Sequence, residues 1–151
     1  MAETIQRVQY FYTEVSDKPG EGARLLNMLK EEEVNLLAFT GFPKGRRAQI
    51  DFIPADQAAF RAAAKKAKLK LVGPKTGFLI QGDDRVGAIA ETVTKLAQAK
   101  INVTAVDAVA AGSGRYGAIL WVKPRDVKKA AQVLGASEAG QSQPATGFGA
   151  S

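Results

Sequence analysis

The sequence predicts an α+β protein of two consecutive units, each running β-α-β-β-α-β with antiparallel strands and both helices on one face. The first observation behind this is an internal repeat. "SDKPGEGARLLNMLKEEEVNLL" (16–37) returns about 67 residues later as "DDRVGAIAETVTKLAQAKINVT" (83–104). Overlaid, Leu26 falls on Val93, Leu29 on Leu96, Val34-Asn35-Leu36 on Ile101-Asn102-Val103, and upstream Phe11 on Phe78. The second is periodicity, which alternates between the strand and the helix pattern along the chain. The third is size: 151 residues suit either one ordinary domain or two small ones that support each other.

"VQYFYTEV" is aromatic and β-branched and stops at Asp-Lys-Pro-Gly, so it is expected to be a strand. A helix follows, with Leu25, Leu26 and Leu29 on one broad face. "VNLLAFTGF" and "AQIDFI" flank "PKGRR" and predict a hairpin. Past Pro54 a second helix sets Phe60, Ala63, Ala64 and Ala67 along one stripe, opposite its lysines. "LKLV" (69–72) is expected to close the first unit as a fourth strand, with "GPKTG" turning the chain into a hairpin with "FLIQ" (78–81). That short strand would then serve both units.

In the second unit "TGFLIQ" predicts a strand, and Ile89, Val93, Leu96 and Ala97 a helix. "INVTAVDAVAA" and "YGAILWV" predict a hairpin around "GSGR", and "PRDVKKAAQVL" a last helix with Val127, Ala130, Ala131 and Leu134 in register. The expected boundaries are residues 1–73 and 74–135 for the two units and 136–151 for a flexible, small-residue tail.

The chain has no cysteine and no histidine, which excludes disulfides, thiolate nucleophiles, imidazole bases and the usual zinc sites. No cofactor and no catalytic residues are expected. No apolar run reaches the roughly 20 residues a membrane span needs, and "MAETIQR" lacks a signal-peptide core, so a cytoplasmic protein is expected. The net charge of +6 gathers in groups such as Arg61, Lys65, Lys66, Lys68 and Lys70. Such groups, with Tyr10 and Tyr12 on one strand face, would suit nucleic acid. "AQIDFI" lacks the basic, glycine-aromatic signature of RNA-binding sheets, so nucleic acid is not the expected partner.

The repeated turns carry the candidate site. Asp17 and Asp84 each stand three places before a glycine, Gly20 or Gly87, that opens a helix, and Asn35 or Asn102 follows each helix at a strand start. A glycine there admits a small ligand closely, and first-turn N–H groups offer a seat for a carboxylate. An asparagine both donates and accepts, which suits a ligand carrying ammonium and carboxylate together. Taken singly, each of these residues also fits a purely local turn or capping role.

With "DKPGEGARLLNMLKEEEVNLLAF" and "DDRVGAIAETVTKLAQAKINVTAV", residues 5–135 resemble a tandem pair of ACT domains, the ligand-sensing modules of amino-acid metabolism. The resemblance implies a ferredoxin-like fold with strand order 4-1-3-2 and amino acids bound at interfaces between units. It places Asp17, Gly20 and Asn35, and Asp84, Gly87 and Asn102, at ligand-binding positions. It also implies a stand-alone, non-catalytic regulator that acts on a separate enzyme, and a homodimer is expected.

Overall fold

The structure is a computed structural model, and it describes residues 3–138. The chain is α+β and falls into two compact units: residues 9–75, and residues 3–8 together with 76–138. Two strands, β1 (Thr4–Ser16) and β4 (Val72–Asp83), are each long enough to contribute to both.

In the unit of residues 9–75, β1 leads to α1 (Glu21–Glu31). The hairpin β2 (Leu36–Lys44) and β3 (Arg47–Pro54) follows, then α2 (Gln57–Lys66). The strand order is β4-β1-β3-β2, with Phe11 opposite Phe52 and Phe52 opposite Phe39. Alternation along these strands sends Phe11, Val15, Ile50 and Phe52 to one face, where Leu25 and Leu29 of α1 and Phe60 and Ala63 of α2 meet them. The rings of Phe11 and Phe52 each lie 5.2 Å from that of Phe60. Asp56 caps α2, its carboxylate accepting the Ala59 N–H at 3.1 Å.

In the other unit β4 leads to α3 (Ala88–Gln98), the hairpin β5 (Val103–Gly112) and β6 (Arg115–Val122), and α4 (Val127–Leu134). Pro124–Asp126 form a 3₁₀ turn ahead of α4, so the helix starts later than "PRDVKK" suggested. The order is β1-β4-β6-β5, and Phe78, Ile80, Leu96, Leu120 and Ala130 build the core.

Two expectations are corrected. Leu69–Leu71 form no strand, and "GPKTG" makes no hairpin, because β4 runs straight through it from Val72 to Asp83. Gly73 and Pro74 resemble turn residues, but their role is different. Beside β1 a Cβ on Gly73 would stand 2.9 Å from the Tyr10 carbonyl oxygen, so only glycine fits that close approach. Pro74 lies where β4 is the outermost strand of its unit, and edge strands are where a sheet tolerates a residue without an N–H. The second correction concerns the fourth-strand place of the later unit. It is filled by the opening residues of β1, with Ile5 packed on that unit's core, and not by Leu69–Val72.

On the other side of β1, Ser137–Glu138 (β7) pair in parallel with Gln6 and Arg7. The expected tail from residue 136 therefore begins with a short strand, and residues 139–151 lie outside those described.

Candidate functional site

Helix α3 begins at Gly87, which takes the left-handed conformation (φ +78°), and α1 begins in the same way at Gly20 (φ +94°). Neither helix start has a side-chain cap, so Asp84 and Asp17 do not serve as caps. The Asp84 backbone N–H instead donates to the Gly114 carbonyl at 2.8 Å and ties the turn to the β5–β6 hairpin. A Cβ built on Gly20 or Gly87 would meet nothing within 4 Å. Within one chain the glycine is thus required by its backbone angle and not by space.

A hollow of about 230 Å³ lies against the start of α3, with Asp84, Arg85, Gly87, Ile89, Val109 and Tyr116 in its wall. Two polar side chains of this wall are already engaged. Arg85 makes a bidentate pair with Glu91, at 2.8 and 2.9 Å, which holds the Glu91 carboxyl below its usual range. Tyr116, on β6, is buried and donates its hydroxyl to the Glu3 carboxylate. Burial first, and then that bond, push the tyrosine hydroxyl far above its ordinary titration range.

The asparagines sit at the opposite helix ends. After α1 and α3 the chain passes through a left-handed residue, Glu33 (φ +57°) or Lys100 (φ +62°). The next N–H then reaches back to the helix, from Val34 to the Leu29 carbonyl and from Ile101 to the Leu96 carbonyl, both at 2.9 Å. Asn35 and Asn102 come directly after these closures and are exposed. An 11-residue helix is roughly 16 Å long, so each asparagine is far from the glycine that opens its own helix. Asn35 instead lines a separate hollow of about 420 Å³ with Leu26, Lys30 and Glu33.

The fold thus brings Asp84 and Gly87 into one pocket and leaves Asn102 outside it. Sequence reasoning missed Arg85, Tyr116 and Glu3. Nothing in the sequence pairs Glu3 with a residue 113 positions away. The Arg85–Glu91 pair could have been found, since both residues flank the first turn of a predicted helix.

Similarity to solved structures extends over most of the chain. The Bacteroides thetaiotaomicron protein superposes with a TM-score of 0.73 at 15% identity, covering 88% of each chain. The regulatory subunit of aspartate kinase from Thermus thermophilus, in its ligand-free form, gives 0.58 at 18% identity, over 89% of this chain and 93% of that one. Its counterpart from Thermus flavus gives 0.55 at 16%, over 89% and 94%. The shared feature is the fold. No protein-family model and no curated protein matches the chain. No helix among the described residues is long and apolar enough to cross a membrane.

Proposed function

We propose that this chain is a tandem ACT-type regulatory protein that binds an amino acid or a closely related metabolite and controls a separate enzyme. The observation that carries the reading is the hollow at the start of α3. There an uncapped helix N-terminus opened by Gly87 faces the same space as Asp84. The N–H groups suit the ligand's carboxylate and Asp84 suits its ammonium, while Ile89 and Val109 contact its carbon skeleton. The likeness to regulatory subunits of aspartate kinase supports a regulatory role and an enzyme partner.

Because α3 separates Asn102 from Asp84 and Gly87, all three contact one ligand only if the asparagine comes from another copy. The ligand is therefore held between protomers of a homodimer. The same logic applies to Asp17, Gly20 and Asn35 of the first repeat.

Nucleic acid is the weaker alternative. Lys44 and Lys75 lie 5.6 and 5.3 Å from the ring centroid of Tyr12 and occupy the aromatic face a base would need. A thermal-shift screen against the common amino acids tests the proposal. A ligand at 100 times its dissociation constant adds about 2.7 kcal/mol of stability, and melting points that stay flat across the panel would refute it.

A further inference from the structure

In the unit of residues 9–75 the helices cover one face of the sheet, and the other face is turned away from them. Ile50 and Phe52 of β3 enter the core with α1 and α2, so Asp51 between them stands on the opposite face, level with Tyr12 of β1 and Thr40 of β2. Asp51 is only 6% exposed. Its two oxygens each accept one bond, from the Thr40 hydroxyl at 3.0 Å and from the Gln49 side-chain amide at 2.9 Å. Both donors are neutral. A carboxylate taken out of water ordinarily has a cation beside it, yet no lysine or arginine among the described residues pairs with this one. Lys44, on the neighbouring strand, reaches Glu14 instead, at 2.8 Å.

We propose that this sheet face docks a polypeptide partner through an arginine side chain of that partner, seated on Asp51. Two features select a guanidinium. The first is what the cluster still offers. With the Thr40 and Gln49 donors spent on the carboxylate, acceptors remain: a lone pair on each Asp51 oxygen and the Gln49 Oε1. A guest must therefore bring donors and a positive charge. The second is shape. Each carboxylate oxygen keeps one place, which suits a planar two-pronged fork better than the point charge of an ammonium, and a guanidinium sheds its water more readily. The surroundings favour a polypeptide over a free small molecule. Phe42, opposite Gln49 on the same face, is 43% exposed, so contact extends beyond a single head group to an apolar side chain on β2. That the partner is an enzyme rests on the function proposed above, whereas the site itself does not.

The test is an NMR titration of the full chain with the peptide N-acetyl-Gly-Arg-Gly-amide. Its blocked ends carry neither ammonium nor carboxylate, so it does not stand in for an amino acid, and its outcome is separate from that of the thermal-shift screen. The peptide should shift the Gln49 side-chain amide and the Thr40 signals saturably. The same peptide with citrulline in place of arginine keeps the shape and loses the charge, and it should bind about tenfold more weakly or worse. Asp51→Asn should weaken the arginine peptide by a similar factor, with an unchanged circular dichroism spectrum. The citrulline comparison uses the native chain alone and decides the case even if that variant fails to fold. Absence of shifts at Gln49 and Thr40, or equal binding of the arginine and citrulline peptides, would overturn the proposal. So would an arginine peptide that binds a folded Asp51→Asn variant as well as the native chain. Free L-arginine binding at these signals more tightly than the blocked peptide would replace the polypeptide with a small metabolite. A change of mass on light scattering of Asp51→Asn would replace it with a second copy of this chain, and either result contradicts the assignment.

Discussion

Tyr116 and Glu3 are joined by a hydrogen bond that links the wall of the candidate pocket to the opening residues of β1. The tyrosine is buried, and its hydroxyl titrates above its ordinary value because burial and the Glu3 carboxylate both disfavour the phenolate. A raised folded-state value means the folded protein holds this proton more tightly than the unfolded chain. The contribution to stability is complete below about pH 10 and is lost as pH rises beyond it. Tyr116→Phe should cost about 1–2 kcal/mol at neutral pH and flatten the decline in stability above pH 10. Urea titrations of both proteins at pH 8 and pH 11 measure this, and equal alkaline losses would remove Tyr116 as the cause.

The same bond predicts how the unit of residues 76–138 responds to shortening at the start of the chain. Deleting residues 1–7 removes Glu3, the packing of Ile5, and the β1 residues paired with β7. Amide-exchange protection should fall at Phe78–Gln81, while that at Phe52 should persist. Unchanged protection at Phe78–Gln81 would show that the strand is dispensable.

Gly87 and Gly20 should tolerate substitution poorly because of backbone angle alone. Gly87→Ala is expected to cost about 1–2 kcal/mol, the price of left-handed geometry for an L side chain, and Gly87→Val more. Gly87→Asn should be the mildest of the three, since asparagine visits this region more readily. Chemical denaturation ranks the variants, and an alanine variant as stable as the native protein would contradict the assignment.

Three helix ends offer the opposite experiment. Glu33, Lys68 and Lys100 hold positive φ where glycine is the common choice, each followed by a residue whose N–H closes back onto the helix. Glu33→Gly, Lys68→Gly and Lys100→Gly should each stabilise the protein by up to about 1 kcal/mol, read as a rise in urea midpoint. A loss of stability at all three would mean their side chains contribute more than the strain removes.

The sequence made the α+β class, the repeat and the four α-helices of the described residues legible, because each depends on local periodicity: Leu25 and Leu29 or Phe60 and Ala63 mark a buried face without reference to distant partners. The strand exchange was not legible. Gly73 and Pro74 carry the composition of a turn, and only the approach of Tyr10 reveals why a strand needs that glycine. Nor do Thr4–Val8 announce that they complete a unit whose first strand starts some seventy residues later. In the candidate site, Asp84 and Gly87 were read together because they are sequence neighbours in one turn. Asn102 was grouped with them by the repeat, and the length of α3 is what separates them in a single chain.

The most direct test of the central claim is titration calorimetry of the full chain against the common amino acids, repeated with Asn102→Ala. The account predicts saturable binding of at least one amino acid by the native protein. It predicts a loss of affinity of tenfold or more in the variant, whose stability changes by less than about 0.5 kcal/mol because Asn102 is exposed. Absence of binding across the panel, or binding that Asn102→Ala leaves intact, would contradict it.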